Sequence, residues 1–121
     1  MIGYIMLGTN DLDRATKFYE DLLSLFGAKQ AMTDPGRFVG WSDGKGPMLA
    51  VTKPHDGNKA TFGNGTMIAL AADSQETVNK VHAKALSLGG TDEGAPGLRG
   101  GTFYGGYFRD LDGNKLVVFH M

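Results

Sequence analysis

The sequence predicts an α+β fold built from two βαβββ modules. Three observations carry that reading. A short apolar run followed by an amphipathic helical stretch occurs twice along the chain. Each occurrence leads into strand-like segments separated by turn residues, an order that does not make successive doubly wound parallel units. The 19 glycines among 121 residues stand well above the ~7% norm, which suits many turns and close backbone approaches and argues against a helical bundle.

The elements follow in order. Residues 2–8 are a short apolar run, read as a buried strand. Asn10 or Asp11 offers an N-cap. Leu12, Ala15, Phe18, Tyr19, Leu22 and Leu23 then recur at three- and four-residue spacing, giving an amphipathic helix to about Leu25 with Phe18 and Tyr19 on its packing face. Gly27 sits where a helix-ending glycine belongs. Strands are expected at about 28–33, 37–42 and 48–53, with Pro35-Gly36 and Asp43-Gly44 as the turns between them. Residues 54–64, rich in Pro, Gly, Asn, Lys and Asp, read as a linker loop.

The pattern then restarts. Residues 66–72 are a second short strand, and Asp73 or Ser74 caps a helix carrying Val78, Val81, His82, Ala85, Leu86 and Leu88, ended by Gly89-Gly90. A Gly-rich stretch follows to about Gly101. Its 97–101 segment lacks the Gly-Lys-Ser/Thr ending of a phosphate loop and is read as a mobile lid. Strands near 103–109 and 115–120 close the chain around Asp110-Leu111-Asp112-Gly113-Asn114. The restart is an internal repeat: the offset that takes Tyr4 to Met67 also takes Leu7 to Leu70, Asp11 to Ser74 and Tyr19 to His82. The expected organisation is one domain, 1–121, with module one at 1–53, the linker at 54–64 and module two at 65–121.

Composition narrows the function classes. The absence of cysteine removes thiolate nucleophiles, disulfides and Cys-ligated metals. A formal net charge of −1 does not fit a general nucleic-acid binder, which needs a clustered basic face. The opening run lacks a basic n-region and is too short for a signal peptide or membrane helix, so a cytoplasmic protein with no membrane partner is expected.

The stretch "GYIMLGTNDLDRATKFYEDLLSLFGAK", with its Asp-Leu cap and Phe-Tyr pair, and the closing "YFRDLDGNKLVVF" resemble the first strand and helix and the last hairpin of the vicinal oxygen chelate superfamily, the group of glyoxalases, bleomycin-resistance proteins and extradiol dioxygenases. Leu111 replaces the proline usual in that hairpin turn. The resemblance covers nearly the whole chain. It implies a glyoxalase-like fold whose curled mixed sheets surround a shared groove, often completed in a homodimer. It also implies, in metal-dependent members, a divalent ion held by a His on the first strand and a Glu on the last strand of each module.

Those positions can be tested residue by residue. The first-strand positions fall at Tyr4 and Met67, the last-strand positions at Val117 and at Met48 or Ala50, the register of the last being open. None supplies an imidazole or a carboxylate, and a phenol is a poor substitute for either. The three histidines stand elsewhere: His55 in the linker, His82 on the second helix, His120 out of phase with Val117. No metal site and no cofactor is therefore expected.

Strand side chains alternate faces. If the implied ligand positions face the groove, Tyr4, Met6, Met48, Ala50, Met67, Ala69, Val117 and Phe119 line it, while Ile5, Leu7, Ile68, Leu70, Leu116 and Val118 face the helices. Tyr107 and Arg109 on the penultimate strand, and Trp41 with Val39 and Arg37 on an earlier one, are placed in or near the groove. Such a Met- and aromatic-rich surface suits a small, partly apolar ligand, with Arg109 or Arg37 pairing any negative charge. The leading expectation is a glyoxalase/bleomycin-resistance-like protein that binds a small molecule in a metal-free groove. The alternative is a glyoxalase-type lyase or isomerase with a non-standard or metal-independent site using Tyr4 with Arg109 or Glu93. The catalytic residues of such an enzyme are not fixed by the residues alone. A purely structural or regulatory module, its groove filled by its own side chains, is the third reading.

Overall fold

A computed structural model describes all 121 residues. The chain is α+β and forms two compact units, Met1–Phe62 and Gly63–Met121. Each unit has one helix and one open four-stranded mixed sheet. No helix is long and apolar enough to cross a membrane.

In the first unit, β1 (Tyr4–Gly8) leads to α1 (Leu12–Leu23), and β2 (Lys29–Asp34), β3 (Phe38–Ser42) and β4 (Met48–Thr52) follow. The sheet order is β1-β4-β3-β2, with β1 parallel to β4 and the other pairs antiparallel. Asp11 caps α1, its Oδ1 accepting the backbone N–H of Arg14 at 3.0 Å. A short 3₁₀ turn, Ser24–Phe26, ends the helix at Gly27, whose φ of 71° is the left-handed conformation a glycine adopts without strain. The helix buries Leu12, Ala15, Phe18, Tyr19, Leu22 and Leu23. The opposing face of the sheet supplies Leu7, Val39, Trp41, Leu49 and Val51, all buried.

The segment after β4 is tied down. Asn10 accepts the N–H of Ala60 through Oδ1 at 2.7 Å and donates from Nδ2 to its carbonyl at 3.2 Å. Ala60 itself lies against Gly8, where an added Cβ would come within 3.1 Å of the alanine methyl.

The second unit repeats the plan. β5 (Ile68–Ala71) leads to α2 (Gln75–Ser87), then β6 (Thr91–Leu98), β7 (Tyr104–Arg109) and β8 (Lys115–His120). The order is β5-β8-β7-β6, with β5 parallel to β8. Ser74 caps α2 by accepting from the N–H of Thr77 at 3.1 Å. Asp11 and Ser74, which the internal repeat aligns, thus do the same job. Tyr19 and His82, aligned by the same offset, are both buried. His82 Nε2 lies 3.1 Å from both Asp92 Oδ1 and the carbonyl of Tyr107, and its ring meets Phe108 edge-on.

Residues 97–101 are not a lid. Gly97 and Leu98 end strand β6, paired with Gly105 and Tyr104, and Arg99–Phe103 is the hairpin turn, closed by Arg99 N–H to Phe103 O at 2.9 Å. Sequence alone reads β6 as a Gly-rich stretch because Gly94, Pro96 and Gly97 are poor strand formers. They are tolerated because β6 is an edge strand whose register shifts twice, between Asp92 and Gly94 and between Gly94 and Gly97.

Candidate functional site

The cross-strand register decides which side chains share the face of each sheet not covered by its helix. In the first unit Tyr4 pairs with Met48 and Met6 with Ala50, so all four lie on one face, and the open choice of register resolves to Met48 as the neighbour of Tyr4. Gly40 pairs with Ala50 and Phe38 with Thr52, which puts Phe38 there too. Met32, paired with Gly40, joins them. Tyr4 is 55% exposed and Met6 37%.

Trp41 is not on this face. It pairs with Leu49 and is buried against the helix, 6.0 Å from Tyr19 between ring centroids. Its Nε1 donates to Glu20 Oε2 at 2.5 Å, and the same oxygen accepts from Gln30 Nε2. Val39 shares that buried side. Arg37 lies in the exposed β2–β3 turn, paired with Asp34 at 3.0 Å. The expectation that places Trp41 and Val39 in or near the groove takes the wrong phase of β3, a strand with apolar residues in both phases, and Arg37 precedes that strand.

In the second unit Ala69 and Tyr107 both pair with Val117, and Ala71 and Gly105 both pair with Phe119. Arg109 pairs with Lys115 on the same face. Ala69, Tyr107, Arg109, Val117 and Phe119 therefore come together. Met67 lies just before β5, and it forms an open pocket of about 260 Å³ with residues 63–66, Arg109 and Lys115.

The polar groups on this face are ordered by a rigid turn. Asp110 is buried, and its Oδ1 accepts the backbone N–H of Asp112 and of Asn114, each at 2.9 Å, while Oδ2 accepts from Asn114 Nδ2 at 2.9 Å. The turn forms with Leu111 at the position of the usual proline because this carboxylate, not a fixed φ, organises it. On its two sides stand Arg109 and Lys115. Arg109 donates from Nε to Glu93 Oε1 and from Nη1 to the carbonyl of Gly113 at 2.8 Å. Lys115 makes no ion pair; its ammonium lies 5.7 Å from the centre of the Tyr107 ring.

Sequence reading missed three contributors here. Lys115 opens a strand and is on the open face only by its pairing with Arg109. Arg99, in the turn after β6, lies over the Tyr107 ring at 5.5 Å. It reaches across Gly94 and Gly97, where added Cβ atoms would approach its guanidinium to 3.3 and 3.0 Å. Phe103 stacks on Phe119 with centroids 5.1 Å apart and planes 6° from parallel. Gly105 makes room for it, since a Cβ there would come within 2.7 Å of the Phe103 ring. The glycines of 94–105 were the available signal.

Two βαβββ units, each with a helix on one face of a mixed sheet and side chains of the opposite face left open, define the class of paired-module α+β proteins. The chain belongs to the Glyoxalase/Bleomycin resistance protein/Dioxygenase superfamily, whose family model matches residues 1–118. Among solved structures it is similar to a glyoxalase/bleomycin resistance protein from Albidiferax ferrireducens T118, with 34% identity, 100% of this chain and 98% of that chain covered, and a TM-score of 0.92. It is also similar to lactoylglutathione lyase from Agrobacterium tumefaciens, at 25% identity, 99% and 92% coverage and a TM-score of 0.72. TioX from Micromonospora sp. ML1 shares the fold at 16% identity, 99% and 98% coverage and a TM-score of 0.71. No curated protein matches the chain.

The resemblance implies a divalent ion, and the donor chemistry here does not fit one. Tyr4, Met48, Met67 and Val117 offer a phenol, two thioethers and a hydrocarbon, where hard or borderline ions take carboxylate and imidazole. Nowhere does the chain gather three His, Asp or Glu side chains able to hold a metal.

Proposed function

We propose that this protein binds a small, partly apolar molecule against the open faces of its sheets, without a metal. The observation that carries the reading is the set of side chains at and beside the implied ligand positions. Tyr4, Met6, Met48 and Phe38 on one sheet, and Tyr107 and Phe119 on the other with Met67 and Phe103 beside its strands, offer aromatic faces and deformable thioethers in place of metal donors. Such surfaces hold ligands by shape and stacking, with few polar groups for orientation. A cytoplasmic homodimer belongs to the same reading; the cysteine-free sequence is compatible with a reducing compartment.

The test is a thermal-shift screen of neutral and charged aromatic and amphipathic small molecules, followed by calorimetry on the hits. Met6→Ala and Phe103→Ala are expected to weaken a hit while leaving the fold intact. A screen without a hit, or hits indifferent to both substitutions, would sink the proposal. Sedimentation at working concentration checks the dimer.

The alternative, a glyoxalase-type lyase or isomerase, draws support from the likeness to lactoylglutathione lyase. Turnover of a 2-oxoaldehyde–thiol adduct by the purified protein would favour it over simple binding.

A further inference from the structure

Arg109 and Lys115 are directly opposite each other across β7 and β8 and share the open face. Like charges at such a cross-strand pair are destabilising. Only one of the two is offset: Glu93 pairs with Arg109, and Lys115 has no carboxylate partner. Arg99 lies over the same Tyr107 ring as Lys115 and spends its other contact on the backbone carbonyl of Ala95 rather than on an acid. Three cations thus lie on one side of the second sheet, where Glu93 pairs with Arg109 and neither Lys115 nor Arg99 has an ion-pair partner. Arg109 and Lys115 open onto the pocket of about 260 Å³ beside the 63–67 turn. The Asp110–Asn114 turn holds the strand ends that carry both, and Arg109 is further held by Glu93 and the Gly113 carbonyl. An uncompensated cation beside a fixed one, next to an aromatic ring and the Met67 thioether, is complementary to an oxyanion on a flat apolar skeleton.

We propose that Lys115 and Arg109, with the 63–67 turn, form an anion notch that receives the carboxylate or phosphate end of the ligand while its apolar part lies toward Tyr107. Lys115 is the primary contact, because Arg109 is already engaged by Glu93 and Gly113. The inference rests on the binding reading above and names the class of ligand it takes: a small aromatic or unsaturated acid.

The experiment is an amide NMR titration at constant ionic strength with three probes that share one ring: benzoate, phenyl phosphate and benzamide. The expected result is saturable shifts at Gly63, Gly65 and Lys115 with at least one anion. Neutral benzamide should bind there about tenfold more weakly or worse, the scale of one charge-assisted hydrogen bond. Lys115→Gln should cost the anion a similar factor while preserving spectral dispersion, and Lys45→Gln, an exposed loop lysine in the first unit, should cost nothing. The tighter of the two anions tells carboxylate from phosphate. Benzamide binding as tightly as the anions, or Lys115→Gln without effect, overturns the notch and leaves small-molecule binding standing. If anions leave these residues unmoved while neutral hits bind elsewhere on the open faces, the notch alone falls; if nothing binds anywhere, both readings fall.

Discussion

The indole of Trp41 donates to the carboxylate of Glu20, and this bond joins the middle of a sheet to the helix that covers it. Trp41 is buried on the helix side with Tyr19, so its ring is core and its N–H is the polar handle that burial must satisfy. Trp41→Phe keeps most of the packing and loses the charge-assisted bond, an expected cost of about 1–2 kcal/mol. Trp41→Ala adds the cavity and should cost about 3–5 kcal/mol. Urea unfolding of the two variants checks the order. Equal, small losses would mean that the ring is not part of the core.

His82 and Asp92 do the corresponding work in the second unit. Asp92 accepts the backbone N–H of Gly94 at 2.9 Å, and chiefly this bond, helped by the neighbouring His82, holds its carboxyl below the ordinary value of 3.8. A carboxylate with a lowered folded-state pKa stabilises the fold above its unfolded value, and the contribution disappears as pH falls through the folded value. The stability difference between wild type and Asp92→Asn is therefore expected to be level near neutrality and to shrink below pH 3.8. Chemical denaturation at a series of pH values measures it. A gap that widens on acidification would contradict the assignment.

Gly90 gives a sharper steric test. A Cβ at this position would lie 2.8 Å from the carbonyl oxygens of both Ala85 and Arg109. Both neighbours are backbone, one at the end of α2 and one at the end of β7, so neither can rotate away. Gly90→Ala is expected to cost about 1–3 kcal/mol, the scale of overpacking. Gly46→Ala, with nothing within 4 Å, is the control that should change little. Thermal melts of both suffice.

Much of this architecture was legible in the residue order, for physical reasons that also mark where legibility stopped. The helices were readable because Leu12 to Leu23 and Val78 to Ala85 repeat at helical spacing behind capping residues, and these same residues are buried. The outer phases of β1, β5 and β8 were readable because Leu7, Leu70 and Val118 point one way and Tyr4, Met6 and Val117 the other. The segment Phe38-Val39-Gly40-Trp41 has apolar residues in both phases, so only pairing with β4 assigns Trp41 to the core and Phe38 to the open face. Strand β6 was hidden by the glycines that let Arg99 lie across it. Lys115 carries no signal in its own neighbourhood, because its place beside Arg109 comes from cross-strand pairing.

The donor set at the implied metal positions supports a last prediction. A divalent ion at 100 times its dissociation constant would stabilise the fold by about 2.7 kcal/mol. For a domain of this size that is a melting shift of several degrees or more, large enough to see in a simple scan. Tyr4 beside Met48 in one unit, and Met67 and Val117 in the other, present no imidazole and no carboxylate to such an ion. Glu93, a nearby acid on the second open face, is already engaged with Arg109, and a cation there would also meet Lys115. Chelator treatment, and separate addition of Zn²⁺, Ni²⁺ or Mn²⁺, is therefore expected to leave the melting temperature unchanged, and protein purified without chelator should carry well under one ion per chain. A tightly held divalent ion in elemental analysis, lost together with several degrees of stability on chelation, would show that the chain assembles ligands other than those at the family's positions.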